Sequence, residues 1–350
     1  MKNPLKDDLD HVLKYTKNLW EEVRNKRIFI TGGTGFFGCW LLESFIWANE
    51  KLNLNAEVLV LTRDYEKFKN KAPHLASNTQ IRFHIGDVRN FTFPEGQFEY
   101  IIHAATESSA KLNAENPLLM FDTIVEGTRH TLEFARHCGA SKFLLTSSGA
   151  VYGKQPPELS HIPEDYNGAP DTMDPNSAYG EGKRVAELLC AIYSRQYGIE
   201  CKIARCFAFV GPYLPLDAHY AIGNFIRDAL KGGPIEIKGD GTPYRSYLYA
   251  ADLVIWLWTI LFKGESGQPY NVGSENEISI VDLAKNLATQ NKPELSIIIM
   301  RKSEPNQLPE RYVPSNKKID KNLGLREIIG LGESIRKTIG YEVKKESTYR

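Results

Sequence analysis

Tyr179 and Lys183 stand four residues apart in the run Ser177-Ala178-Tyr179-Gly180-Glu181-Gly182-Lys183. Residues with that spacing share one face of a helix. An ammonium beside a phenol there can draw the tyrosine pKa down from about 10 toward neutrality, which makes a general base. Tyr-x-x-x-Lys also arises by accident on helices, so the pair needs company. It has two companions: a serine pair at Ser147 and Ser148, and a glycine-rich run upstream, Thr31-Gly32-Gly33-Thr34-Gly35-Phe36-Phe37-Gly38. Together they predict hydride chemistry on a bound dinucleotide, with Tyr179 and Lys183 as its acid/base pair.

The glycine run sits where a phosphate cradle must sit. Arg27-Ile28-Phe29-Ile30-Thr31 reads as a buried strand before it, and Phe37 to Asn49 reads as a buried helix after it. Glycines give the tight turn and let backbone approach a pyrophosphate, while the helix N-terminus offers N–H donors and positive potential. Gly32, Thr34, Gly35, Phe36, Phe37 and Gly38 are therefore candidate cofactor contacts. The second strand, Val58 to Leu61, runs into Thr62-Arg63-Asp64. An NAD site usually ends that strand on an acid, and a nearby arginine suits a 2'-phosphate. Arg63 tilts the reading modestly toward NADP, and Asp64 keeps NAD open.

Further strands are expected at 81–85, 100–103, 142–146 and 202–206, with helices near 117–138 and from Tyr179 to about Tyr197. Short apolar runs alternating with helical patterns predict an α/β fold, a Rossmann-type doubly wound parallel sheet with a smaller C-terminal substrate-binding lobe. The boundaries are drawn at 1–25 for a helical N-terminal extension and 26–210 for the NAD(P)-binding domain. Residues 211–345 then form mainly the lobe, where prolines and glycines break the pattern. The apolar run Leu253 to Phe262 within it reads as a helix returning to the sheet.

Composition excludes some function classes. Forty-three basic residues balance 43 acidic ones in 350, so global charge favours neither nucleic acid nor an anionic membrane. The longest apolar run is about half a bilayer span, so no membrane insertion is expected. Cysteines 39, 138, 190, 201 and 206 lack CxxC spacing, which predicts buried reduced thiols, no metal site and, with no signal-like start, a cytoplasmic protein.

These motifs resemble the extended short-chain dehydrogenase/reductase family of nucleotide-sugar epimerases, dehydratases and decarboxylases, from Arg27 to about Tyr341. The resemblance implies an adenine contact at Asp87 and Val88, in Gly86-Asp87-Val88, and a cofactor-lining segment at Ala104, Ala105 and Thr106. It implies that Ser148, in Thr146-Ser147-Ser148-Gly149-Ala150-Val151-Tyr152-Gly153, is the catalytic hydroxyl and that Lys183 also binds the nicotinamide ribose. His103 would pack near the cofactor and move no protons. Arg245 and Arg311 would hold the substrate diphosphate, Asn224 would touch the diphosphate or base, and Gly239 to Tyr247 would form a nucleotide-binding hairpin. A nucleotide-sugar substrate and a homodimer formed through the helices near 117–138 and 178–197 are the implied partners.

The chain departs from that pattern at three places. Dehydrating and decarboxylating members resemble one another in an acid two residues after the catalytic hydroxyl, where this chain has Ala150; Ala208 and Ile124 replace two family asparagines. Elimination needs a base for the C5 proton and an acid for the leaving hydroxyl, which Glu107 or Glu181 would have to supply. The leading expectation is accordingly C4 epimerisation or 4-keto reduction of a nucleotide sugar with Tyr179 as acid and base. A 4,6-dehydratase or decarboxylase with an acid from elsewhere is the alternative, and a binding-only sensor or scaffold is the reading from another class.

Overall fold

The computed structural model describes residues 3–106, 109–290, 293–304 and 308–348. Six strands appear where short apolar runs predicted them: β1 (Arg27–Thr31), β2 (Glu57–Thr62), β3 (Ile81–Ile85), β4 (Tyr100–His103), β5 (Lys142–Ser148) and β6 (Glu200–Cys206). A seventh strand, Pro269–Val272, joins beside β6, and the order across the sheet is Pro269–Val272, β6, β5, β4, β1, β2, β3. Every pairing in it is parallel. Ile28, Phe29 and Ile30 of β1 are all fully buried, because helices cover both faces and leave no solvent side to alternate with.

Two helices named by their order, α1 (Lys6–Thr16) and α2 (Phe36–Leu52), pack on one face with the helix Ala250–Lys263. All of Ala250 to Phe262 is buried, which is why that segment is apolar on every side. The helices Pro117–Cys138 and Ala178–Tyr197 cover the other face around Phe29, Ile101, Phe143 and Phe134. The leader is shorter than the sequence pattern suggests. It ends at Thr16 and continues as a 3-10 helix over Lys17–Val23. Thr16 donates back to the Val12 carbonyl at 2.7 Å and accepts from Trp20 Nε1 at 2.9 Å, drawing the buried Trp20 ring against Trp258.

A separate apolar core, including Leu214, Ile222, Phe225, Ile237 and Leu287, builds the C-terminal lobe. The nucleotide-binding hairpin expected over Gly239 to Tyr247 does not form. Tyr244–Arg245 lies between Ile278–Ser279 and Arg311–Tyr312, while Leu248–Tyr249 pairs with Phe209–Val210. The Asp240 carboxylate takes the Thr242 N–H and hydroxyl at 2.9–3.0 Å, turning the chain there into a capped loop whose two arms find different partners. The five cysteines are buried and unpaired. Among the described residues no helix is long and apolar enough to cross a membrane.

Candidate active site

In an open parallel sheet, ligands bind at the carboxyl ends of the strands where the winding reverses, here between β1 and β4. Thr31, His103, Ser148 and Cys206 all end strands on that edge. A cavity of about 1180 Å³ opens there, between the sheet and the C-terminal lobe.

The glycine run forms its floor. Gly32 has φ +72°, and a Cβ on it would lie 2.5 Å from the Ala104 carbonyl carbon, so backbone packs on backbone with no room for a side chain. Gly38 is closed in the same way by the backbone of Gly32 and Gly33. Gly35 caps α2 without a side-chain bond, and Gly32, Gly35, Phe36, Phe37, Ala104 and Thr106 line the cavity. The Thr106 hydroxyl is buried without a partner. An uncapped helix N-terminus, a backbone cradle and an orphaned hydroxyl fit a dinucleotide.

The other candidate cofactor residues, Thr34, Gly38, Arg63, Asp87, Val88 and Ala105, are off the cavity wall. The Thr34 carbonyl takes the Lys71 ammonium at 3.0 Å, and the Ala105 N–H donates to Thr31 Oγ1 at 3.1 Å. Val88 packs on Gly127. Asp87 is paired with Arg89 at 2.9 Å; that bond, with Arg63 adding a smaller effect, holds its carboxyl below the usual range. His103 bonds Thr31 and Thr128 at 2.8 and 3.1 Å. Burial and the Lys183 charge push its pKa down to about 3, so at neutral pH the ring is uncharged and keeps a single N–H.

Ser148, Tyr179 and Lys183 converge on one wall of the cavity. Ser148 ends β5, and its Oγ accepts the Ala150 N–H at 3.2 Å. Tyr179 opens its helix with the backbone N–H on Asn113 Oδ1 at 3.0 Å, and its phenol interacts with Ser148. Lys183 Nζ donates to the Thr146 carbonyl at 2.9 Å and stands 5.9 Å from the Tyr179 ring centre. The expected lowering of the Tyr179 pKa is not found. Burial pushes the phenol above its ordinary range, and the Ser148 bond only partly offsets it. Burial also lowers the Lys183 pKa to about 8. A low-dielectric pocket disfavours both charged forms, and at this separation desolvation outweighs attraction.

A half-buried clamp that sequence reading overlooked fixes the wall. Glu187, one turn beyond Lys183, accepts from Ser147 Oγ at 2.6 Å and from Arg205 at 2.7 and 3.0 Å. Arg205 continues to the Tyr152 hydroxyl, which donates to Asn271 Oδ1. β5, β6, the Tyr179 helix and the strand Pro269–Val272 are thereby joined. The readable signal was the carboxylate four residues after Lys183.

The lobe residues divide. Arg245 lines the cavity, donating to the Tyr244 carbonyl at 2.8 Å. Arg311 is off the cavity wall: it is ion-paired with Glu277 and lies 4.5 Å over the Tyr244 ring. Asn224 reaches the wall with its amide already committed, donating to the Ala218 and Tyr220 carbonyls and accepting from Arg227. Arg227 and Tyr312, both unanticipated, do line the cavity. Of the two acids that could stand in for one at position 150, Glu181 lies off the wall, 3.6 Å from Arg184, and Glu107 is outside the described residues. No His, Cys, Asp and Glu cluster suited to a metal occurs among the described residues.

Residues 28–273 match the model of the NAD dependent epimerase/dehydratase family. The chain belongs to that family. As a family member it is 32% identical over 311 residues to UDP-glucuronic acid decarboxylase 6 of Arabidopsis thaliana, covering 89% of this chain and 87% of the relative. It is also 32% identical over 322 residues to UDP-glucuronic acid decarboxylase 1 of Xenopus tropicalis, covering 91% and 73%. Its fold is shared with the UDP-glucuronic acid 4-epimerase of Bacillus cereus, solved with UDP-glucuronic acid and NAD (TM-score 0.77, 22% identity, 91% and 99% covered). The dTDP-glucose 4,6-dehydratase DesIV of Streptomyces venezuelae is similar too (TM-score 0.76, 24% identity, 92% and 98% covered).

Proposed function

We propose that this epimerase/dehydratase family member oxidises a UDP-linked hexuronic acid, of the UDP-glucuronic acid class, at C4 and releases its carboxyl group as CO2. The observation that carries the reading is the convergence of Ser148, Tyr179 and Lys183 beside the glycine cradle in one cavity that extends to Arg245 and Arg227. The relatives shift the balance away from simple epimerisation or reduction and toward the decarboxylase alternative.

Chemistry explains why Ala150 does not oppose this. A ketone at C4 makes the C6 carboxylate a β-keto acid, whose C5–C6 bond breaks by itself and passes its electron pair to O4. Nothing has to remove the C5 proton, as elimination would require. NAD, when bound, supplies the acceptor and later the donor of the C4 hydrogen.

The protein supplies the rest. Tyr179 moves the O4 proton, and Ser148 holds the same oxygen by a hydrogen bond. Lys183 binds ribose hydroxyls and is the positive charge on the Tyr179 helix face. Arg245 and Arg227 offer guanidinium donors to the diphosphate. NADP is a second reading with an observation behind it: the Asp64 carboxylate is committed to capping the helix Tyr65–Lys71, accepting the Lys67 N–H at 2.9 Å, which weakens its claim on a ribose hydroxyl. A homodimer through the helices Pro117–Cys138 and Ala178–Tyr197 belongs to the same proposal, supported by exposed Leu118 and Leu188 on them.

Incubation with a panel of nucleotide sugars and each cofactor, read by mass, tests the assignment. Loss of CO2 from UDP-glucuronic acid supports it. An unchanged mass with inverted C4, a gain of two hydrogens, or loss of water would assign epimerase, reductase or dehydratase instead. A binding-only protein would retain cofactor and turn over nothing.

A further inference from the structure

Replacing the C5–C6 bond by C5–H consumes a proton at C5 in every turnover. That proton is distinct from the one Tyr179 carries to and from O4, so the proposed reaction needs a second donor. Position 150 is an alanine and Glu181 faces Arg184. The region an acid at 150 would serve is instead reached by a hydroxyl from the other lobe.

That hydroxyl belongs to Tyr312. It lies 3.4 Å from Ser148 Oγ, and a Cβ built on Gly149 would stand 2.7 Å from it. It therefore covers the backbone between the catalytic serine and Ala150. Ser148 addresses O4, and C5 is bonded to the carbon that carries O4, so a donor beside Ser148 stands on the side of the ring where C5 must lie.

The pose of Tyr312 is held from both lobes. Its strand pairs with Tyr244–Arg245, and the next residue, Val313, donates its N–H to Gln155 Oε1 at 3.0 Å and accepts the Ile162 N–H at 2.9 Å. The ring rests on Phe207, with centroids 4.7 Å apart. Burial raises the phenol to about 12, so it carries its proton throughout the neutral range.

Building on the decarboxylase reading, we propose that Tyr312 is a catalytic residue that protonates C5 after CO2 leaves. The C5–C6 bond breaks, its electron pair enters the C5–C4–O4 enolate, and CO2 departs. The enolate then collapses to the C4 ketone as C5 takes the proton of the Tyr312 O–H. The phenolate regains a proton from solvent in the cavity. A phenol is a stronger acid than the C5–H of the ketone it forms, so the transfer runs downhill.

Tyr312→Phe removes one oxygen and keeps the ring on Phe207. With UDP-glucuronic acid and NAD in D2O, three quantities are followed: first-turnover CO2 release, formation of the UDP-pentose, and the face of C5 that carries deuterium. The variant is expected to release CO2 near the wild-type rate and to form pentose on the order of 10²-fold more slowly. KM should be unchanged, and deuterium should appear on both faces of C5. Wild-type pentose formation with single-face deuterium overturns the inference. So does an equal fall in CO2 and pentose with stereochemistry kept, which marks a structural role. A wild-type enzyme that releases no CO2 overturns the decarboxylase reading itself, and this inference with it.

Discussion

Gly149→Ala tests whether the distance between Tyr312 and Ser148 matters, without replacing any residue that handles protons. The added methyl would stand 2.7 Å from the Tyr312 hydroxyl and 2.8 Å from the Phe207 ring. Ordinary contact begins at 3.4 Å, so the phenol must retreat by about 0.7 Å, in keeping with the steep repulsion of close-packed interiors. Its separation from Ser148 Oγ, already 3.4 Å, would then pass beyond hydrogen-bonding range. A displacement near 1 Å in a catalytic group can cost about 10²-fold, so kcat for pentose formation should fall by roughly 10- to 100-fold. Tm should move by only a few degrees, since an overpacked site costs about 1–3 kcal/mol. Steady-state kinetics on the variant, on Tyr312→Phe and on the double variant separate the terms. If Gly149→Ala acts by displacing Tyr312, it adds little to Tyr312→Phe. Independent, multiplying losses, or a Gly149→Ala enzyme with wild-type kcat, would refute the reasoning.

Two further outcomes follow from the same cavity. Lys183 falls from an ordinary 10.5 to about 8 through burial, a penalty on the order of 3 kcal/mol. It is present in full below about pH 8 and relieved as pH rises toward 10.5, because the unfolded chain then holds the extra proton. Lys183→Met should accordingly raise the Tm of the cofactor-free protein at pH 7 while abolishing turnover, with the stability gain shrinking above pH 8; a less stable variant at pH 7 would contradict it. Gly32→Ala would force a side chain into φ +72° against the Ala104 backbone. It should lose about 1–2 kcal/mol from the conformation alone and weaken NAD binding by calorimetry, whereas wild-type affinity would show that the cradle does not hold the cofactor.

The parts of this site that sequence reading reached are those written in short-range spacing. The glycine run needs its neighbouring strand and helix, and both abut it; Tyr179 and Lys183 share a helix face by virtue of four residues. The parts it missed depend on the tertiary fold. Tyr312 lies 164 residues from Ser148, and Arg311, its neighbour, which the resemblance assigns to the diphosphate, is claimed by Glu277 instead. Strand 269–272 escaped notice because Pro-Tyr-Asn-Val is too short and mixed to mark a sheet edge, yet β6 aligns it in register. The hairpin over Gly239 to Tyr247 is what the family resemblance implies, and local turn chemistry does not reveal which strand each arm will meet. The Tyr179 pKa failed for a similar reason: helix spacing gives proximity to Lys183, and only the folded chain gives the burial that opposes it.

The most direct test of the central claim is turnover of UDP-glucuronic acid carrying deuterium at C4, with products read by NMR and CO2 trapped. Oxidation at C4 followed by loss of the carboxyl and return of the same hydrogen predicts a primary isotope effect on CO2 release and a UDP-pentose that keeps its deuterium at C4. Pentose formed without an isotope effect, label lost from C4, or a recovered hexuronic acid with no CO2 would contradict it.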